Sequence, residues 1–448
     1  MSNTLRLLIA LIEIAPDLKR IVGSSWPTFR DELLDLSGRF EHEGESLALD
    51  KDLDELIARL LQAASLDGKN VIRRAMTETS AGDEPQTWRS TATATRSGGA
   101  TTMGAGDPQP SSEAFPDGVV EVPVFYGTDR KLSGAGRPDD FYSGRRGDGV
   151  AYGIARVTVP TEGRDVGDLA SPVWWKLQLT PDPVKHVILF DIKPLERQPF
   201  VVALRDALAS ADERDALLFV HGYNVTFTDA ARRAAQIAVD LKYRGRTLLY
   251  SWASAGDPKQ YTVDEETIDW STRRFRAFLQ LALTEAGARD VHVIAHSMGN
   301  RALMKALEEI EVSAFPAGSA TLCQVIFAAP DISCDTFRDL AAAFHGRAQR
   351  CTLYASSGDI ALKASKLVNG YARAGEAGDS LVIVDGVDTI DASRVDTSLI
   401  GLRHSYFGSK RSILRDLAEI ITHRTEPSRR FELKEAGAPP RRYWAYRE

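Results

Sequence analysis

Val291-His-Val-Ile-Ala-His-Ser-Met-Gly-Asn-Arg-Ala-Leu303 joins an apolar, strand-like run to a helix-forming run through one tight turn. Ser297 stands at that turn, with Ala295 and Gly299 two residues to either side. A serine placed there takes up a strained backbone conformation, and strand and helix approach so closely that only small residues fit beside it. Ala295 and Gly299 meet that need. The hydroxyl is thereby lifted clear of the sheet, and the unpaired N–H groups of the helix start favour negative charge next to it. The pattern predicts a nucleophile at Ser297. The bland alternative is a buried serine in an ordinary strand-turn-helix, but small flanks, turn and helix all agree with the sharper reading.

Upstream, Leu217-Leu-Phe-Val-His-Gly-Tyr-Asn224 is a second apolar run, and it ends in His-Gly. Ahead of a serine turn, the residue after such a His-Gly pair donates its backbone N–H to a tetrahedral oxyanion. Its partner is the N–H of the residue after the nucleophile. Those residues are Tyr223 and Met298. His221 itself reads as a hydrogen-bonding residue of the loop. In chains of this kind the nucleophile is followed by the acid and then by the histidine. Asp359, in Thr352-Leu-Tyr-Ala-Ser-Ser-Gly-Asp359, lies beyond the second strand after the serine strand, which favours it as the acid. Asp331, in Ala328-Ala-Pro-Asp331, is the rival. Downstream of both, His404 lies in an irregular stretch and is the expected base, whereas His423 falls on a polar helix end. His292 and His296 read as fold residues.

At 448 residues the chain exceeds one ordinary core. A net charge of −7, with Lys and Arg scattered among acids, argues against a nucleic-acid partner. Three cysteines without C-x-x-C spacing form neither a disulfide framework nor a zinc site, so no metal or cofactor is expected and a reducing cytoplasm fits. Leu7 to Ile14 is apolar but interrupted by Glu13, and reads as an amphipathic helix rather than a signal peptide. No transmembrane segment is expected. Residues 1–76 carry helical periodicity, as in Leu53, Leu56, Ile57, Leu60 and Leu61. Residues 77–117 change to Ser, Thr, Gly, Ala and Pro and read as a disordered linker. From 118 to 424 apolar runs alternate with helical ones, which predicts a mainly parallel sheet flanked by helices. Residues 425–448, with Pro439-Pro440, read as an irregular tail.

Together these residues resemble an uncharacterised bacterial branch of the α/β-hydrolases, the domain of unknown function 900 in the esterase/lipase superfamily. The resemblance runs from about Val119 to Ile421. It is carried by Val124-Phe-Tyr-Gly-Thr-Asp-Arg130, Tyr152-Gly, Val157-Thr-Val-Pro160, His221-Gly-Tyr-Asn224 and Phe227-Thr-Asp-Ala230. It continues in Tyr250-Ser-Trp252, Ala295-His-Ser-Met-Gly-Asn300, Ala329-Pro-Asp331 and His404-Ser-Tyr-Phe407. It implies the α/β-hydrolase fold and hydrolase chemistry, supports Ser297, Asp359 and His404 as a triad, and implies no substrate. The helical residues 1–76 fall outside it. They resemble a small effector-associated adaptor that would bind a protein partner, with a passive appendage as the alternative.

The expected reaction is hydrolysis of an ester, lipid esters included. A peptidase with the same triad and a silent hydrolase-fold scaffold are the alternatives. Residues Ala253 to Asp269, with Tyr261 and Asp264 to Glu266, read as loops over the site or as plain surface. Brief trypsin treatment is expected to cut first between Thr77 and Asp117, near Arg89 and Arg96, and to leave a C-terminal fragment with undiminished ester hydrolysis. Mass spectrometry of the first fragments checks this, and a first cut elsewhere overturns the domain boundary.

Overall fold

The computed structural model describes Phe29, Glu32 and residues 47–63, 115–162, 182–256, 260–357, 362, 371–395, 410–439 and 441–447. Near the N-terminus α1 (Leu47–Ala63) buries Leu53, Leu56, Ile57 and Leu60, the spacing of one helical face. Its Arg59 lies over the Phe29 ring and pairs with Glu32. The wider helical domain and the linker, up to residue 114, lie outside the described residues.

The strands are β1 (Val119–Leu132), β2 (Tyr142–Pro160), β3 (Ile188–Leu195), β4 (Asp215–Val220), β5 (Arg246–Ser251), β6 (Asp290–His296), β7 (Thr321–Ala328), β8 (Arg350–Ala355), β9 (Val387–Asp391), β10 (Leu433–Ala438) and β11 (Arg441–Tyr446). Between them run α2 (Arg197–Ala209), α3 (Phe227–Asp240), α4 (Tyr261–Thr284), α5 (Gly299–Glu309), α6 (Cys334–Phe344) and α7 (Lys410–Ile421). The strands form one eleven-stranded sheet in the order β10-β11-β9-β8-β7-β6-β4-β5-β1-β2-β3. Every pair from β1 through β11 along the middle of that order is parallel, and antiparallel hairpins close both ends.

Strand β4, Asp-Ala-Leu-Leu-Phe-Val, is buried at every position. A parallel strand covered on both faces needs such a continuous apolar run. Successive side chains point to opposite faces. Ala216, Leu218 and Val220 therefore join Phe200 of α2, Phe275 of α4, Leu303 of α5 and Phe337 of α6 on one side. Leu217 and Phe219 join Ala231 and Ile237 of α3 and Ile413 and Leu417 of α7 on the other. Each fully buried Leu or Phe contributes roughly 1.5–3 kcal/mol. The chain leaves β4 for β5 on one side and returns to β6 on the other. In parallel sheets such a reversal opens a crevice at the carboxyl ends of the strands, where ligands bind. The loop after β4 and the turn after β6 meet there.

Residues 381–384 are coil, and the strand in that region is β9, six residues further on. One expectation is corrected. Residues 425–448 are not irregular: they contain the β10–β11 hairpin, and β11 pairs in parallel with β9. Pro439 stands at the hairpin turn rather than inside a strand, so it bounds the two strands instead of breaking them. The hairpin is locked to the core through Asp416 of α7. Arg430 reaches both carboxylate oxygens at 3.1 and 3.3 Å, Tyr354 of β8 donates its hydroxyl, and Tyr446 of β11 donates from 3.4 Å. Asp416 and Arg430 are both shut off from solvent. Asp416→Ala leaves the Arg430 guanidinium buried without its counter-charge, which is expected to cost about 3–5 kcal/mol. The loss should be read as a lowered urea midpoint, and an unchanged midpoint overturns the lock.

Candidate active site

Ser297 follows β6 with φ of 49°, left-handed backbone that costs a non-glycine residue about 1–3 kcal/mol. Hydrogen bonds hold it there. Its N–H donates to Ala328 O at 2.9 Å, and its carbonyl accepts from Asn300 N at 3.1 Å and Asp331 N at 3.2 Å. The buried Asn300 amide also donates to Ser297 O at 2.9 Å and to Ala328 O at 3.2 Å. The first residue of α5 thus follows the serine almost immediately. A Cβ on Gly299 would lie 2.4 Å from His221 O, and one on Gly222 would lie 3.0 Å from Ser297 Cβ and 2.7 Å from His296 Nδ1. Both glycines are required for the β4 loop to rest against the serine. Ala295 is fully buried, as its small size anticipates.

That contact sets the loop that carries Tyr223 against the serine, and Met298 follows Ser297 in the chain. Among the described residues the Met298 N–H donates to no acceptor. The Tyr223 ring meets the Tyr261 ring edge-on, with centroids 5.3 Å apart. Tyr261 opens α4, so the second half of the expected loop 253–269 is helical. Its hydroxyl donates to Asp331 Oδ2 at 2.6 Å. Arg373 lies 3.3 Å from Asp331 Oδ1, both side chains being buried. Asp331 O accepts from Arg301 of α5, whose guanidinium also reaches Glu265 at 2.6 Å. Asp331 is therefore at the site, but its carboxylate is engaged by a tyrosine and an arginine.

Asp359 and His404 lie outside the described residues. The strands that precede them end at the serine's edge of the sheet: Ala328 pairs beside His296, Tyr354 beside Ala328 and Ile390 beside Tyr354. The other histidines nearby are bound into the fold. Desolvation and the Arg233 charge push the His296 imidazole down to about 3. His221 is buried, stacked on Trp252, and pushed well below its ordinary value by desolvation and the neighbouring Arg130.

Residues 198–424, just over half of the chain, match the family described as alpha/beta hydrolase of unknown function (DUF900). The chain belongs to this family. Its match begins at α2, so the resemblance expected from Val119 onward is shown for the part after β3. No curated protein and no solved structure shows a match. This hydrolase-fold chain carries its loops on a mostly parallel sheet. No helix among the described residues is long and apolar enough to cross a membrane. Nor does any group of His, Cys, Asp and Glu among them assemble to hold a metal ion.

Two further charged residues shape the loop beside the serine. Asp264 is buried in the first turn of α4 and accepts from Ser254 Oγ at 2.6 Å, Ala255 N at 2.8 Å and Asn224 N at 3.3 Å. Arg130 is buried at the end of β1 against the same loop. The usable signal is a charged Asp129-Arg130 pair inside an otherwise apolar run.

His296 also sets an acid limit. Its folded value of about 3 lies below the unfolded value near 6.5, so between these the unfolded chain binds more protons. Stability from this group is whole above about pH 6.5 and is lost as the pH falls toward about 3. His296→Gln should flatten the decline of thermal midpoint over that window, and an unchanged slope overturns the assignment.

Proposed function

We propose that this chain is a serine hydrolase that cleaves carboxylic esters, lipid esters included, through Ser297, His404 and Asp359. The observation that carries the reading is the strained Ser297 at φ 49°, braced on one side by the Gly222 loop and on the other by a helix start whose Met298 N–H has no acceptor among the described residues. A serine held so, with two backbone donors beside it, suits the tetrahedral intermediate of acyl transfer.

In the proposed reaction His404 takes the Ser297 proton as Oγ bonds to the ester carbonyl carbon, and the carbonyl oxygen becomes an oxyanion received by the Tyr223 and Met298 N–H groups. The intermediate collapses by breaking the bond to the alkoxy oxygen, which takes the proton from His404. Water, deprotonated by His404, then releases the carboxylic acid and restores Ser297. Asp359 orients the imidazole and stabilises its charged form. The engagement of Asp331 with Arg373 and Tyr261 supports Asp359 over Asp331 in that role.

A fluorophosphonate is expected to label Ser297 in the wild type and to leave Ser297→Ala unlabelled, with p-nitrophenyl ester hydrolysis lost in step. Asp359→Asn should lower kcat by about 10⁴-fold at unchanged stability. Asp331→Asn should chiefly lower the thermal midpoint, because it weakens a buried ion pair. The reverse pattern moves the acid to Asp331, and an unlabelled wild-type serine overturns the proposal as a whole.

A further inference from the structure

The loop from His221 to Val225 is anchored on both sides of Tyr223. Trp252 Nε1 donates to His221 O at 2.9 Å. The His221 ring donates from Nδ1 to Gly222 O at 2.7 Å, since a carbonyl can only accept. Asn224, itself left-handed at φ 56°, gives its N–H to the buried Asp264. Val225 donates its N–H to Ser254 Oγ at 3.2 Å and accepts at its carbonyl from Arg130 at 2.6 Å. The residue between these anchors is Tyr223.

A peptide bond is planar and trans, so its C=O and N–H point in opposite directions. The bond from His221 Nδ1 to Gly222 O therefore sets the direction of the Tyr223 N–H. This works for one tautomer alone, the one with the proton on Nδ1 and a lone pair on Nε2. Around Nε2 stand Ser251 Oγ at 3.1 Å and Arg130 at 3.4 Å. Arg130 cannot accept a proton, and it also donates from Nε to Ser251 Oγ at 2.9 Å, which turns the serine hydroxyl hydrogen toward the ring. The remaining guanidinium hydrogens go to Ser254 O at 2.8 Å and Ser143 O at 3.4 Å. All five donor directions of a fully enclosed arginine thus have acceptors, and most belong to the oxyanion loop or the strand beside it.

We infer that Arg130 is a positioning residue of the active site: through Ser251 it fixes the His221 tautomer, and His221 in turn aims the Tyr223 N–H at the oxyanion. This rests on the proposed hydrolysis at Ser297. A lysine has three donors on a flexible stem and cannot reproduce the five-way fork, so Arg130→Lys is as damaging here as Arg130→Met.

The test is kinetic, with Ser297 labelling as its control. Arg130→Met and Ser251→Ala are each purified and their thermal midpoints measured; Ser251→Ala removes the relay hydroxyl while sparing the fork to Val225 and Ser254. Each is expected to lower kcat on p-nitrophenyl butyrate by about ten- to hundredfold, short of the 10²–10³ lost when an oxyanion donor is removed outright. KM should stay within about twofold, because the ground-state carbonyl draws little on that donor. Affinity for a trifluoromethyl ketone, which forms an oxyanion on Ser297, should fall in proportion to kcat/KM. A merely structural arginine predicts a lowered midpoint with the ketone affinity and kcat of the folded fraction unchanged, and that result overturns the inference while leaving the hydrolase reading intact. Should Arg130→Met fail to fold, the ketone affinity of Ser251→Ala decides alone. A wild-type serine that ignores the fluorophosphonate overturns both readings together.

Discussion

Between the end of β4 and the start of α5 there is no room for a methyl group: a Cβ on Gly299 would stand 2.4 Å from the His221 carbonyl oxygen. That approach forces the backbone to turn within one residue, and the residue that takes the strain is Ser297. The strain persists because Asn300, Asp331 and Ala328 each hold a polar group of the serine backbone. The same proximity lays the β4 loop against the serine. A glycine, a left-handed serine and a buried asparagine are thus parts of one packing solution, set where the strand order reverses and a crevice is unavoidable.

Three groups of buried charges in this fold shape loops or joints. Removing an ion from water costs several kcal/mol that the pairing must offset, so such groups contribute geometry more than stability. Arg130 and Asp264 shape the loop beside the nucleophile, Asp331 and Arg373 shape the next loop, and Asp416 with Arg430 joins the C-terminal hairpin to the core. Desolvation raises the Asp264 and Asp416 carboxyls, with hydrogen bonds and the facing arginines acting against it.

The fold was largely legible because burial on both faces writes itself into composition: β4, β6 and β7 are largely apolar runs, as a covered parallel sheet requires. The serine turn was legible for a steric reason, since Ala295 and Gly299 are small where they must be. The hairpin of β10 and β11 was not, because a proline and an arginine pair look alike whether they end a strand or abolish one, and only pairing with β9 tells them apart. Helix α2 escaped because its first turn, Arg197-Gln-Pro-Phe, is polar and its apolar positions begin only at Phe200. The role of Arg130 was hidden for another reason. Its five acceptors come from segments far apart in the chain, and no local period brings Ser143, His221, Val225, Ser251 and Ser254 together.

The two hairpins at the ends of the sheet have a bearing on how copies of this chain could meet. Among the described residues β3 pairs only with β2, and β10 only with β11, so each leaves one row of backbone groups facing outward. A long parallel sheet with bare ends is a template for further strands. Here the end strands are poor templates: β3 carries Asp191 and Lys193 and lacks a backbone donor at Pro194, and β10 carries Lys434, Glu435 and Gly437. Adding a strand from a second molecule would bring those charges against it at either end and, at β3, meet a nitrogen that has no hydrogen to give. Self-association through the described ends of the sheet is thereby discouraged.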